Sequence, residues 1–276
     1  MQTQLSKTSL VLSIIITLFS AIAAAGGIWI KNLYNDNAFV KLAWYANDRI
    51  TFFVVVPLLI ISIYLSQKGS QRWLMVRMGL LGYVFYNFAF YLFGAAFNIF
   101  FLIYTVLVSI SAISLILQLS SYDISKIAER FTKKTPEKLV SIYLLLISSL
   151  LFIVELSMII PFLTKRIIPD TIKLTAHPSS VVFALDFSIV IPVSVIAAIL
   201  LWKRQSWGFI IGIMMLVKGF TYGLVLSIGT ALLAYSDTYG KWDPLMPFYI
   251  IVALGGIFGC WLLLKNFKEI NAITYK

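Results

Sequence analysis

Two stretches of this chain follow the same pattern, one in each half. Residues 44–73 contain an Ala-x-Asp sequence ending at Asp48, then an apolar segment with a proline, then a short basic turn and a tryptophan. Residues 182–207 repeat that order, with Asp186 at the start of the apolar segment. Each stretch is preceded by one long apolar segment and followed by two more. The pattern predicts two related halves, each made of four helices.

The composition places these segments in a membrane. Hydrophobic residues make up 61% of the chain and charged residues 12%, whereas a soluble domain averages about 25% charge. A spanning helix needs ~20 apolar residues, and in hydrocarbon only helices and closed barrels pair every backbone N–H and C=O. A barrel would show short strands of alternating polarity. The long continuous segments therefore predict an all-α polytopic membrane protein.

Eight segments are long enough to span, and they divide into two groups. Residues 1–120 form the first half, residues 121–138 a basic cytoplasmic linker, and residues 139–276 the second half. The predicted spans are 8–30, 49–66, 73–94 and 98–119, followed by 139–162, 184–202, 208–233 and 245–264. Because each half has an even number of spans, both run in the same direction, as parallel repeats do. The linker is expected either to form a short amphipathic helix at the membrane surface or to stay solvated.

The distribution of Lys and Arg predicts the orientation. With the N-terminus inside, the inner loops and termini carry thirteen basic residues, Lys276 among them, and four acids, whereas the outer side carries seven and six. Positive charge favours the cytoplasmic side, so both termini are expected in the cytoplasm of a plasma-membrane protein. The net charge of +11 is concentrated in inner loops that face anionic lipid headgroups. We therefore expect the lipid bilayer as a partner, and no nucleic acid.

Two ionisable residues lie deep inside predicted spans, Glu155 in the fifth and Lys218 in the seventh. Their depths differ by only about 9 Å at 1.5 Å of rise per residue. We expect both side chains to point into the second half, and the sequence leaves open whether they pair, directly or through water. Ionisable groups in hydrocarbon are costly and indicate function by default, although a buried ion pair can also serve only to fix helix packing. Tyr222, four residues after Lys218 and on the same helix face, joins this candidate binding site.

The third segment carries a polar and aromatic stripe. The residues Tyr83, Tyr86 or Asn87, Tyr91 and Gly94 recur at three- or four-residue spacing, so they share a helix face. Such a face either lines a cavity for a flat or lipid-like ligand or supplies hydrogen bonds between helices. Asp48 and Asp186 are predicted at the outer interface, where an acid in the first turn favours the helix dipole. A paired outer gate is the alternative role for these two aspartates.

The sequence contains no recognisable catalytic or metal-binding motif. It has no phosphate-binding P-loop, no His-Glu-x-x-His and no nucleophile elbow. The single cysteine, Cys260, and the single histidine, His177, argue against a metal or haem site. We therefore expect no enzymatic activity, no cofactor and no metal.

Short aromatic and glycine-containing motifs are spread over most of the chain. They are Tyr83-Val-Phe-Tyr-Asn87, Gly94-Ala-Ala-Phe97-Asn98 and Phe101-Leu-Ile-Tyr104, with Pro192, Trp207-Gly-Phe and Val217-Lys218-Gly219. In these motifs the chain resembles a family of uncharacterised bacterial multi-pass integral membrane proteins. The resemblance implies a bacterial plasma-membrane protein with no assigned activity, and it supplies no catalytic residues.

Two functions fit these features. The first is a transporter or permease for a small or amphiphilic solute, which the duplicated bundle and the deep charges favour. The alternative is a non-catalytic membrane partner, or a lipid-binding or sensor protein, in which the charge pair is structural. An intramembrane enzyme acting on lipids ranks last, because the spans lack a second deep carboxylate, a histidine or a metal cluster. The sequence does not define the oligomeric state or the small-molecule ligand.

Overall fold

A computed structural model describes residues 2–236 and 240–269, with side chains from Lys7 onward. Eight of its helices are long and apolar enough to cross a membrane. They are α1 (Gln2–Trp29), α2 (Ala38–Gln67), α3 (Gln71–Gly94), α4 (Phe101–Ser121), α5 (Glu137–Lys165), α6 (Val181–Trp202), α7 (Ser206–Ala234) and α8 (Met246–Lys265). The predicted all-α fold with eight such helices is confirmed. Lys276, part of the charge count, lies outside the described residues.

The largest difference from the predicted spans is at the start of α2. Instead of beginning at residue 49, this helix begins at Ala38, where the Asn37 side chain accepts a hydrogen bond from the Val40 backbone N–H. The first turns of α2 contain charged and amide side chains, so their hydropathy is too low to mark a span. α6 likewise begins at Val181 rather than at residue 184. Both aspartates of the repeated pattern therefore lie inside helices and not at their outer ends.

Both α2 and α6 contain a π-helical turn just before a proline. The turns are Thr51–Val55, followed by Pro57, and Asp186–Val190, followed by Pro192. Proline has no N–H to donate and its ring collides with the carbonyl one turn earlier. A π turn widens the helix at that point, because its N–H groups bond to carbonyls five residues back. Each helix therefore continues through its proline and remains long enough to span.

The helices of the two halves contact one another in the same order. In the first half, α1 and α3 each pack against α2 and α4; in the second, α5 and α7 each pack against α6 and α8. Between the halves, α7 contacts α2 and α3, and α3 contacts the first turn of α6. The central helices α3 and α7 are accordingly the most buried of the eight.

The linker packs against one end of the bundle. Between the end of α4 and the start of α5, its only helical part is a single 3₁₀ turn, Ala128–Arg130. Ile127 and Phe131 are buried, and the Phe131 ring stacks on Phe209 with 3.9 Å between ring centres. The expectation of an amphipathic surface helix is wrong, because the apolar side chains that would contact lipid contact the protein instead.

The segment after α8 returns to the same end and caps α3. Glu269 accepts hydrogen bonds from the backbone N–H groups of Gln71 and Arg72, at 3.0 and 3.1 Å. The Ser70 hydroxyl donates to it at 2.8 Å. Burial alone would raise the pKa of Glu269, but these donors and the Arg72 guanidinium hold it below its ordinary value. The carboxylate satisfies free N–H groups of the first turn and complements the helix dipole.

Replacing this cap is expected to weaken the fold in a pH-dependent way. Glu269→Gln should lower the free energy of unfolding by about 1 kcal/mol, the usual magnitude for a helix cap. Because the folded-state pKa lies below the unfolded value of about 4.3, the stabilisation is complete above that value and is lost as the pH falls through the folded pKa. Thermal unfolding in detergent at a series of pH values measures both effects.

Glu129→Gln is the matched control, since Glu129 is an exposed acid of the linker. It should unfold at the wild-type temperature at every pH. The account of the cap is contradicted if both variants lose the same stability, or if the gap between wild type and Glu269→Gln widens toward acid pH.

Candidate functional site

α6 and α7 bring a buried aspartate and a buried lysine together. Asp186, in the π turn of α6, is 4% exposed, and Lys218, in the middle of α7, is 9% exposed. The Lys218 Nζ lies 3.9 Å from the Asp186 Oδ1. It also lies 4.0 Å from the centre of the Tyr86 ring and 4.6 Å from that of Tyr222. One carboxylate and two aromatic rings thus surround the ammonium group and replace part of its lost hydration.

Tyr86 of α3 holds this pair from the other half of the molecule. Its hydroxyl donates to the Asp186 Oδ1 at 2.7 Å, and its ring meets Tyr222 edge-on at 5.0 Å. The contact joins the two halves through a buried polar group. The sequence pattern offers Tyr86 as an alternative to Asn87 in the polar stripe, three residues after Tyr83, but Tyr86 is not among the predicted binding residues.

Glu155 of α5 lies beside the pair and is 4% exposed. It interacts electrostatically with both Asp186 and Lys218. Among the described residues, no basic nitrogen lies within 4.0 Å of its carboxylate, and its buried Oε2 has no hydrogen-bond partner. Both Glu155 and Lys218 lie beside Asp186 of the second half, but Lys218 also contacts Tyr86 of the first half, and the carboxylate at ion-pair distance from Lys218 is that of Asp186. The earlier start of α6 accounts for this, because it places Asp186 deeper than the hydropathy pattern suggests.

A cavity of about 300 Å³ extends from this cluster. Its wall includes Glu155, Asp186 and Tyr222, and residues from α2, from the short helix Asp170–Thr175 and from the first turn of α8. It therefore reaches the end of the bundle opposite the linker. A smaller cavity of about 80 Å³ adjoins it, with Lys218 and Asp186 on its wall. The ionisable groups stand at the deep end of a space of the size that small-molecule sites have.

The polar stripe on α3 has a different environment. Tyr83, Asn87 and Tyr91 are absent from the walls of both cavities. The Tyr83 hydroxyl lies 3.0 Å from the Thr51 Oγ1, and the Asn87 Nδ2 donates to the same oxygen at 3.5 Å. These contacts link α3 to the π turn of α2. The stripe provides hydrogen bonds between helices, which is one of the two roles that its pattern predicts.

Asp48 is buried in the first half and does not lie at an exposed outer interface. It is 3% exposed, and its two oxygens accept hydrogen bonds from the hydroxyls of Tyr34, at 2.6 Å, and Tyr91, at 2.8 Å. Burial, and then the charge of Asp48, raise the pKa of Tyr34 above its ordinary value, so this loop tyrosine remains a donor. Asp186, the second predicted outer residue, is buried in the same way. No sequence motif points to Tyr34 as a partner.

The loops at the open end of the bundle also join the two halves. The His177 Nε2 lies 3.7 Å from the Asp36 Oδ1, and the Asn37 side chain donates to the Leu174 carbonyl at 2.8 Å. Asp36 additionally accepts a hydrogen bond from the Trp44 indole at 3.0 Å. His177 also lines the larger cavity, so these contacts form one side of its mouth.

The pairing of Lys218 with Asp186 is tested by a double-mutant cycle. Lys218→Met leaves a buried carboxylate without its cation and is expected to lower the free energy of unfolding by about 3 to 5 kcal/mol. Adding Asp186→Asn should recover much of the loss, because no unpaired charge remains. A second cycle with Glu155→Gln and Lys218→Met should give a smaller coupling. Equal or larger coupling at Glu155, measured by thermal unfolding, would contradict the geometry.

The Asp48 site depends on a glycine of α1. A Cβ added at Gly27 would overlap the Asp48 carboxylate and the Tyr34 hydroxyl. Gly27→Ala is therefore expected to lower the free energy of unfolding by about 1 to 3 kcal/mol, as overpacking does. Gly82→Ala is the control, because its nearest neighbour would be the Met214 Cε at 3.9 Å. Equal unfolding temperatures for the two variants would contradict this account.

Comparison with protein-family models, with curated proteins and with solved structures finds no match to this chain.

Proposed function

We propose that this protein transports a small or amphiphilic solute across a bacterial plasma membrane, with Glu155 in its central site. The observation that carries the proposal is a cavity of about 300 Å³ with Glu155 on its wall, a buried acid whose Oε2 has no hydrogen-bond partner among the described residues. An ion pair that only fixes helix packing is complete with Asp186 and Lys218. Glu155 is not needed for that pair. An additional ionisable group in a spanning helix costs stability, so its presence indicates a functional role by default.

The proposal includes two parallel repeats, α1–α4 and α5–α8. The matching order of helix contacts in the two halves supports it, as does the equal spacing of each π turn from Pro57 and Pro192. Transporters built from repeats place their substrate sites between the repeats and beside interrupted helices. The cavity lies between the halves and has residues of both interrupted helices on its wall.

In the proposed orientation, with both termini in the cytoplasm, the cavity opens to the outside. At the cytoplasmic end, the Arg204 Nη1 lies 2.6 Å from the Glu137 Oε2, and Phe131 stacks on Phe209. This arrangement corresponds to an outward-facing state. Alternating access then requires these inner contacts to separate while the outer loops close over the solute.

A ligand-binding sensor is the second candidate. The closed cytoplasmic end favours it, because Glu269 and the linker tie the inner loops together. A sensor needs a site that is accessible from one side, and no passage through the bundle. The two candidates share the site at Glu155 and differ in whether solute crosses the membrane.

Solute-induced currents on reconstituted liposomes test the proposal. A panel of amines, amino acids and fatty acids is applied to wild type, to Glu155→Gln and to Asp170→Asn, an exposed acid beside Lys173. We expect at least one solute to give a saturable current with wild type and with Asp170→Asn. Glu155→Gln should reduce that current by about tenfold or more, the factor for about 1.4 kcal/mol of lost interaction.

Currents that survive in Glu155→Gln would contradict the assignment of the central site. Stabilisation of the purified wild type by a solute, without any current from that solute, would replace the transporter with the sensor.

A further inference from the structure

The central cluster contains more acid than base. Lys218 is the one basic residue within 4.0 Å of Asp186 in the described part of the chain, and Tyr86 supplies a further hydrogen bond to that carboxylate. Glu155 has no such cation, and its Oε2 has no hydrogen-bond partner there. A buried charge without a partner is strongly disfavoured. The site is therefore complete only when a positive group or a proton reaches Glu155.

The wall around this carboxyl is aromatic and otherwise mostly apolar. Its aromatic members are Phe39, Phe90, Phe183, Tyr222, Phe248 and Tyr249. Aromatic faces attract cations, most strongly when water is excluded. A wall of this kind also favours the apolar part of a ligand.

The other two acids on the wall, Asp186 and Asp243, already have partners, whereas the buried Nε2 of His177 lies near an acid but makes no hydrogen bond to a described residue. His177 lies 3.7 Å from Asp36, at the mouth. Asp243 accepts hydrogen bonds from the Leu245 backbone N–H at 2.8 Å and from the Tyr249 hydroxyl at 3.1 Å. Glu155 is thus the acid on the wall that is left for a ligand.

Other ligand classes fit this site poorly. An anion would meet the carboxyls of Glu155 and Asp186 with Lys218 already paired. A sugar needs several polar partners close together, whereas most of the surface of the cavity wall is apolar. A hard metal ion needs six or more oxygen ligands for Ca²⁺ or a tight octahedron for Mg²⁺, and the described residues contain no group of three His, Cys, Asp or Glu side chains.

We propose that the cavity binds an organic cation with an apolar body, an alkyl- or arylammonium, whose charge lies beside the Glu155 carboxyl group and whose body contacts the aromatic wall. This names the solute class of the proposed transporter and rests on the proposed site. Lys218 and Asp186 keep their pairing when the cation is bound, so the ligand adds the missing positive charge without displacing the existing one.

Equilibrium dialysis of the detergent-purified full chain with radiolabelled benzyltrimethylammonium tests the proposal. This probe combines a quaternary ammonium with an aromatic ring. We expect saturable binding to wild type and to Asp170→Asn, and binding weakened about tenfold or more in Glu155→Gln. Glu155→Asp should retain part of the affinity, because the charge remains on a shorter side chain.

Matched competitors test the charge on wild type alone, so the result does not depend on the folding of any variant. Unlabelled benzyltrimethylammonium should displace the label. Its uncharged isostere neopentylbenzene and the anion benzenesulfonate should do so at least about tenfold more weakly. Equal displacement by either of these compounds, no saturable binding to wild type, or unchanged binding in Glu155→Gln, would overturn the proposal.

Uptake of the same label into proteoliposomes separates this inference from the proposed function. Binding that requires Glu155 but is not followed by uptake leaves the cation site in place and removes the transporter. Currents from a neutral or anionic solute, together with no binding of the ammonium probe, support a transporter and overturn the cation site.

Discussion

The burial of Lys218 against Asp186 is the interaction on which the centre of this protein depends. An unpaired ammonium group in a membrane helix is costly, so α7 must lie where α6 presents its carboxylate. The π turn carries Asp186 within α6, and Tyr86 of α3 completes the arrangement with a hydrogen bond and an aromatic ring. Because α3 belongs to the first half, one polar contact also fixes how the two halves meet.

The pairing of Lys218 with Asp186 also determines which ionisable group is left to bind a ligand. It occupies the one lysine of the cluster and leaves Glu155 as a buried acid at the deep end of a cavity. The buried aspartate of the first half, Asp48, is not left over in this way, because both of its oxygens accept hydrogen bonds from tyrosines. The two halves therefore share a pattern of buried aspartates and π turns, while the unpaired acid of the proposed ligand site comes from the second half.

Hydropathy alone predicts the eight helices, because ~20 consecutive apolar residues have few alternatives to spanning. It does not predict where α2 begins, since the polar first turns of that helix are helical through capping and packing. The depth of Asp48 is missed for that reason. The depth of Asp186 is missed because α6 begins at Val181 rather than at residue 184, and the true partner of Lys218 is missed with it. Glu155 is recognisable from the sequence as a deep acid. Tyr34 and the linker contacts depend on tertiary packing, which no local pattern encodes.

A cryo-EM map of the protein with bound benzyltrimethylammonium shows directly whether Glu155 binds the cation while Lys218 stays paired with Asp186. We expect ligand density between the Glu155 carboxyl and the aromatic wall, with Lys218 still beside Asp186. Density elsewhere in the bundle, or a Lys218 side chain that pairs with Glu155 in place of Asp186, would contradict this expectation.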